Sequence, residues 1–430
     1  MSKFIVYVLK FYTKIYIKKN KIEVIAITGS AGKTTTKMIT SVLVSDKFIY
    51  TPNEGYNTEI GVPLAIFNEK APVSSRNFLQ WLKIIFNIKI KILKPSTYNK
   101  IILEFGADKQ GDISYLISVA KPKIAVVTTV LPVHLEQFGN VDAIAMEKRK
   151  IVEILDEDCF AILNNDDNLV REMKKCTKAK VITFGQKRGA DLSYSNIELD
   201  ERGFITFVLE WKNNKYFVKT NFIAPQLTPS ILSGIAVGLC FNNSMGNMLE
   251  KLTKVYPEKG RMNLLKGINN SRIIDDSYNA NPESTLAALE VLSNFKGRKI
   301  AVLGSMNELG TFEKEGHEQV AKKAAEIADL IIFVGENTFK YSLDIAKRKL
   351  NNDFVQYFID SYSAGDHLKK IIKEGDTVLF KGSQNKIYTE EALKKVLFDP
   401  DTAPNVLVRQ SKMWQYKKEE FIKSLKKGEL

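Results

Sequence analysis

The run Ile25-Ala26-Ile27-Thr28-Gly29-Ser30-Ala31-Gly32-Lys33-Thr34-Thr35-Thr36 restricts the architecture of this chain more than any other stretch of it. Val24 to Ile27 is apolar and mostly β-branched, the texture of a buried strand. Two glycines then allow a tight turn, and Lys33-Thr34 open a helix that continues through Met38 and Ile39. A strand that turns through glycine into a helix presents backbone N–H groups and the positive helix end to an anion. Lys33 is placed to reach the terminal phosphates of a nucleotide, and the Thr34 hydroxyl to reach Mg²⁺. The general phosphate loop has four residues between its glycines, whereas here only Ser30 and Ala31 intervene. Gly29, Ser30, Ala31, Gly32, Lys33, Thr34 and Thr35 are the expected phosphate-binding residues and ATP the expected ligand. The loop alone does not separate kinase, motor, switch and ligase.

Apolar strand-like runs alternate with helix-length segments at Val24–Ile27, Lys100–Leu103, Ile124–Val130, Ala161–Leu163 and Val181–Phe184. That alternation predicts an open, mostly parallel α/β sheet. Beyond Asp191 the texture becomes short and alternating, and predicts an antiparallel hairpin with Asn213-Asn214 near its turn, followed by a helix from Ser230 to Cys240. A second α/β alternation starts at Arg272-Ile273-Ile274 and runs through Ile300–Leu303, Leu330–Val334 and Thr377–Phe380. Pro257-Glu258-Lys259-Gly260 punctuates the change, so the expected domains are residues 22–257 and 258–430, after a basic apolar segment at 1–21.

The net charge of +14 is unevenly spread. Met1 to Ile22 holds Lys3, Lys10, Lys14, Lys18, Lys19 and Lys21 without an acidic residue, and a second acid-free stretch lies between Glu69 and Glu104. There Lys83, Lys89, Lys91 and Lys94 interleave with Phe78, Trp81, Phe86 and several isoleucines. Such mixtures form solvated basic faces or bind anionic lipid. No nucleic-acid module is present, and nucleic acid is not an expected partner. Phe4 to Leu9 is too short for a bilayer, which takes about 20 apolar residues, and lacks the features of a signal peptide. An amphipathic helix on the protein or a membrane surface is expected. Three scattered cysteines support no disulfide framework, in keeping with the cytoplasm.

Glu104 ends the strand Ile101-Ile102-Leu103, which places a carboxylate at the sheet edge where ligands of open α/β folds collect. His134 follows the next strand. Together with Thr34 these residues can hold one or two Mg²⁺ ions against ATP. Lys148 stands in Lys148-Arg149-Lys150, which by itself reads as a solvated helix turn.

The series of motifs resembles the Mur ligase family of ATP-dependent amide-forming enzymes. It is carried by the short loop, Tyr56-Asn57-Thr58-Glu59, Glu104-Phe105-Gly106, His134 to Gly139, Asn164 to Asp167, Gly260-Arg261, Asp275 to Pro282, Leu303 to Gly310 and Lys381-Gly382-Ser383. The likeness is greatest to the branch that joins D-alanyl-D-alanine to a UDP-linked muramyl tripeptide. It implies a central P-loop ATPase domain and a C-terminal Rossmann-like α/β domain. Lys33, Glu104, His134, Lys148 and Arg261 are the implied catalytic residues, with Thr34, Glu104, His134 and Lys148 at the metal. Lys148 corresponds to a lysine that is carbamylated by CO₂. Arg261, Asp276, Tyr278 and Asn279 fall to the nucleotide, Asn57 to the glycopeptide, and Lys381 and Ser383 to the incoming amine. The implied enzyme works on a UDP-muramyl-peptide carboxylate; a cytoplasmic monomer is expected, with peripheral membrane contact suggested by the basic apolar segments rather than by the resemblance.

Three departures stand out. The ligases resembled carry a further N-terminal domain for the uridine nucleotide, whereas residues 1–23 alone precede the first strand here, so uridine recognition is expected to differ. Ser230 stands where a family asparagine lies near adenine, and Ser305 where an acidic or small residue is usual. The competing readings are an amide ligase acting on another, lipid-linked carboxylate, and a non-catalytic ATP-binding protein. The latter would have lost Lys33, Glu104 or His134, and all three are present.

Overall fold

A computed structural model of the chain describes residues 2–45, 49–52, 56–72, 77–132 and 135–427. Two compact units emerge, one of Met1–Glu198, Thr206–Thr220 and Gln226–Val255, the other of Leu199–Ile205, Asn221–Pro225 and Tyr256–Leu430.

The first unit is built on strands β1 (Glu23–Thr28), β2 (Ile49–Tyr50), β3 (Lys100–Glu104), β4 (Ile124–Val127), β5 (Phe160–Asn164), β6 (Lys180–Gly185), β7 (Leu192–Leu199), β8 (Ile205–Trp211) and β9 (Asn214–Lys219). Their order in the sheet is β2-β3-β1-β4-β5-β6-β7-β8-β9. The strands from β2 to β7 pair in parallel, and β8 and β9 antiparallel. Central strands such as β1 and β4 are buried over nearly their whole length, which is why they read as unbroken apolar runs. After β1 the chain pairs first on one side, with β3, and then on the other, with β4. This reversal opens a crevice at the carboxyl ends of those three strands.

β4 stops at Val127 rather than running to Val130. The next residues bond to the phosphate loop instead: Ser30 N donates to Thr129 O at 2.7 Å and Leu131 N to Ser30 Oγ at 2.9 Å. The hairpin turn falls on Lys212-Asn213, one residue before the predicted place, and both residues have positive φ, 49° and 63°. That backbone matches the twist of the strands it joins. The helix Ser2–Asn20 buries Ile5, Leu9 and Tyr16 in the core of this unit. No helix among the described residues is long and apolar enough to cross a membrane.

The second unit has strands β10 (Asn263–Lys266), β11 (Arg272–Asp276), β12 (Lys299–Gly304), β13 (Leu330–Val334), β14 (Val355–Phe358) and β15 (Thr377–Lys381), in the order β10-β11-β15-β12-β13-β14. All pair in parallel except β10, an antiparallel edge. The closing helix Lys412–Lys427 is Lys-rich, yet it buries Lys418 among Glu390, Glu391 and the backbone of Arg409.

Candidate active site

Glycine is needed at two points of the phosphate loop. Gly29 has φ 147°, and a Cβ on it would lie 1.8 Å from Thr128 Oγ1. That hydroxyl is itself held in place, since it donates to Ala31 O at 2.6 Å. Gly32, with φ 82°, turns the chain into the helix Lys33–Leu43, whose N-terminus has no side-chain cap. The first-turn N–H groups of Lys33, Thr34 and Thr35 are therefore left for an anion. Lys33 folds back over the loop and donates to Gly29 O at 2.7 Å. Its burial lowers the amine pKa, opposed by Glu104 and Asp108. Gly29→Ala is expected to destabilise the chain by about 1–3 kcal/mol and to weaken ATP binding, since it forces an alanine into this backbone and against Thr128. Thermal melts and calorimetric ATP titration test this, and unchanged values in both would contradict the geometry.

Glu104, 4% exposed, caps β3 and binds two residues of the loop helix. Thr34 Oγ1 donates to its Oε2 at 3.1 Å, and Lys37 Nζ lies 2.9 Å from its Oε1. Lys37 was not among the expected residues. Its signal was its position, one helical turn beyond Lys33 on the same face. Asn164 and Asp167 brace the neighbouring loop: Asn164 Nδ2 donates to Thr128 O at 2.7 Å, and Asp167 Oδ2 accepts from Thr129 Oγ1 at 2.9 Å and Val130 N at 2.7 Å. Ser230 is buried with its hydroxyl beside Gly32, on the helix Thr228–Cys240 that packs against Lys33–Leu43.

Lys148 is not on a solvated turn. In the helix Val141–Glu153 it is 3% exposed, while Arg149 and Lys150 face outward and pair with Glu153 and Glu147, both at 2.6 Å. Burial, and then the charge of Lys33, push its amine down to about 8, against the pull of Glu147 and Asp108. Glu147 is fixed by accepting from Ile113 N at 2.8 Å. Asp108 acts on both Lys33 and Lys148, so Lys33, Glu104, Asp108 and Lys148 form one electrostatic group. Asn57 lies beside it: Asn57 O accepts from Gly106 N at 2.9 Å, and Asn57, Gly106, Asp108, Lys109, Asp112 and Tyr115 line a cavity of about 220 Å³. His134 falls outside the described residues.

The second unit assembles its own cluster. Asp276 Oδ2 holds Lys381 Nζ at 2.5 Å, and the same amine donates to Asn279 O at 3.1 Å. Asp275 is fully buried and accepts from Gly260 N and from Ser277 Oγ, at 3.1 and 2.5 Å; burial raises its pKa to about 6. The Arg261 guanidinium stacks over the Tyr278 ring at 4.3 Å, half exposed. Ser383 Oγ accepts from Asn307 N at 2.8 Å, and Asn279 Oδ1 from Gln384 N at 3.4 Å. The end of the Asp275 to Pro282 run is a helix cap as well: Asn281 and Ser284 exchange capping-box bonds and Pro282 opens the helix. His317 Nε2 accepts from Met306 N at 3.0 Å and fixes the loop after β12.

Residues 27–237 match the Mur ligase middle domain, and residues 260–384 the domain described as Mur ligase, glutamate ligase domain. The chain is 25% identical to UDP-N-acetylmuramoyl-tripeptide--D-alanyl-D-alanine ligase of Bacillus subtilis (strain 168), over 91% of this chain and 79% of that protein. With the enzyme of the same name from Escherichia coli (strain K12), identity is 28% over 85% of this chain and 75% of the relative. Among solved structures, MurF from Acinetobacter baumannii superposes with a TM-score of 0.75 at 25% identity, covering 90% of this chain and 79% of that one. MurF ligase from Thermotoga maritima, in complex with ADP, gives 0.71 at 26% identity, covering 91% and 83%. With both of its α/β units matched and its phosphate loop intact, the chain belongs to the Mur ligase family and is an ATP-dependent ligase.

Proposed function

We propose that this protein joins D-alanyl-D-alanine to a UDP-N-acetylmuramoyl tripeptide in peptidoglycan precursor synthesis, at the expense of ATP. The observation that carries the reading is the convergence on one sheet edge of an uncapped phosphate loop, the Glu104 carboxylate bound to Thr34 and Lys37, and the buried amine of Lys148. The relatives that bear this activity are matched over most of their length.

A carboxylate is a poor acyl donor, so its oxygen first attacks the γ-phosphorus of ATP. The bond to ADP breaks and an acyl phosphate forms. The amine of D-alanyl-D-alanine then attacks the acyl carbon, phosphate leaves and the amine loses a proton. Two polyanions must meet in the first step, and Lys33 and Arg261 are assigned to offset their repulsion and the charge on the transferred phosphoryl group. Thr34 Oγ1 and the Glu104 carboxylate form an all-oxygen pair that fits Mg²⁺, with His134 assigned beside them. Bound there, Mg²⁺ would neutralise phosphate charge. Lys148 is assigned as the carbamylated lysine. Its neutral amine attacks CO₂, a C–N bond forms and a proton leaves, turning a buried cation into an anion that can support the metal. Asp276, Tyr278 and Asn279 are assigned to the nucleotide, Asn57 to the glycopeptide, and Lys381 and Ser383 to the amine side. Lys381 also orients the 276–279 loop, through its bonds to Asp276 and Asn279. We take residues 22–257 and 258–430 as the catalytic domains of a cytoplasmic monomer.

Phosphate release from ATP, measured with the muramyl tripeptide and the dipeptide added singly and together, tests the assignment. Release is expected only with both present, with a product whose mass is that of the amide. Tight ATP binding without substrate-dependent release would sink the reading.

A further inference from the structure

Two helices of the first unit carry apolar residues on the side turned away from the core. In Ser2–Asn20, Ile5, Leu9 and Tyr16 point inward while Phe4, Tyr7, Phe11 and Ile15 stand exposed, spaced three or four residues apart along one face. In Phe78–Leu93 the buried set is Trp81, Ile84 and Ile88, and the exposed set is Leu79, Leu82, Phe86, Ile90 and Leu93. A helix that is apolar nearly all round is ordinarily covered on every side. Here one half faces solvent, with Phe86 63% and Leu93 80% exposed.

The two faces are neighbours. The helices pack against each other and share one core. Lys19 Nζ donates to Ile92 O at 2.8 Å and to Leu93 O at 3.2 Å, which ties their carboxyl ends together. Adjacent helices lying on one core turn their outer faces to the same side. The charges the helices carry have one sign: Lys14 and Lys18 on the first, Lys83 and Lys89 on the second and Lys94 at its C-cap are exposed, and neither helix contains an acidic residue. The surface continues beside the first helix into a cavity of about 720 Å³, where Ile17, Ile117 and Ile154 lie with Lys14, Lys18, Lys121 and Lys150 and a single carboxylate, Glu153.

We propose that this paired helical face docks on an anionic lipid bilayer, lying in the interface without crossing it. Aromatic and aliphatic side chains at helical spacing enter the acyl boundary, while the lysine stems let their ammonium groups stay at the headgroups. Both helices present only cations, so a second copy laid helix to helix on this face would set lysine against lysine, whereas negatively charged headgroups complement it. Neither helix is long and apolar enough to span, so the contact is peripheral and reversible. Docking of this face requires no turnover, and vesicle binding is measured apart from the ligase reaction.

Sedimentation of the full chain with vesicles is the test, using phosphatidylcholine alone and phosphatidylcholine with phosphatidylglycerol, at low and high salt. Binding is expected only to the anionic vesicles and is expected to fall at high salt. The double variant Leu82→Glu/Phe86→Glu, and separately Phe4→Glu/Phe11→Glu, should each bind at least about ten-fold more weakly, with unchanged circular dichroism and phosphate release. All four positions are exposed, so neither variant removes a core contact. The proposal fails if the anionic vesicles are not bound, if neutral vesicles are bound equally, or if both variants bind like the parent chain. It fails too if the face instead mediates self-association, seen as a concentration-dependent dimer that the same variants dissolve.

Discussion

Lys148→Ala is expected to lower the rate of substrate-dependent phosphate release by about two to three orders of magnitude, the usual cost of removing one group that stabilises transition-state charge. An ordinary lysine amine is almost entirely protonated at neutral pH and does not react with CO₂. Held at about 8 by burial and by Lys33, roughly a tenth of the Lys148 amine is neutral at pH 7, against well under a thousandth at the ordinary value of 10.5. Three results should follow. Stripping CO₂ from buffers should slow the parent enzyme, and bicarbonate should restore it. At constant dissolved CO₂ the restored fraction should rise as pH climbs through 8, because the reactive form is the neutral one. Formate or acetate should partly revive Lys148→Ala by placing a carboxylate in the space vacated. Undiminished turnover in the alanine variant would remove Lys148 from the mechanism.

The same shift has a stability consequence of definite sign. Because the folded-state value is depressed, protonation favours the unfolded chain, and stability rises with pH from about 8 to 10.5. Lys148→Met, which keeps the stem and drops the charge, should therefore melt no lower than the parent at pH 7 even though it is inactive. The shift corresponds to about 3 kcal/mol as an upper bound. An inactive variant with unimpaired stability separates a chemical role from a packing role.

Glu390→Ala is expected to destabilise the second unit by about 3–5 kcal/mol, the range for leaving a buried charge without its partner. Glu390 is fully buried between Arg409, at 2.8 and 2.6 Å, and Lys418, at 2.8 Å. Alanine leaves Lys418 with the Glu391 carboxylate and the Arg409 carbonyl, and removes from the Arg409 side chain the carboxylate it holds. The effect should reach the nucleotide residues, because Arg409 also donates to Ser277 O at 2.6 Å and Tyr278 O at 2.9 Å. A fall in melting temperature of about 10 °C, together with weaker ATP binding, is the expected result. Glu390→Gln keeps the shape and the hydrogen-bond acceptor and should lie between parent and alanine. A melting curve that does not move would mean that the two cations find other partners.

Much of this arrangement could be read before the fold was known. The phosphate loop and Glu104 were legible because ligands of open parallel sheets gather at strand ends, and long buried strands announce themselves as apolar runs. β2, with two residues, and the edges β10 and β14 carried too little of that pattern. Which of Lys148, Arg149 and Lys150 turns inward was not readable. Successive helical residues point about 100° apart, and three identical charges give no phase. The pairing of Glu390 with Arg409 and Lys418 joins residues 19 and 28 positions apart and depends on how the last helix folds back, which no local pattern encodes. The helix Phe78–Leu93 shows the opposite limit. It is apolar on both faces, so its sequence could not say which one would be buried.

The nine-stranded sheet also bears on how the protein behaves when concentrated. Open sheets invite further strands at their margins. One margin here is β2, two residues long among the described residues. The other is β9, which carries Lys215 and Lys219, so a second β9 laid alongside would meet positive charge. A chain with so extensive a sheet is thereby guarded against strand-by-strand polymerisation, and Lys215→Val/Lys219→Val would remove that guard at one margin, along with the cross-strand partner of Glu210.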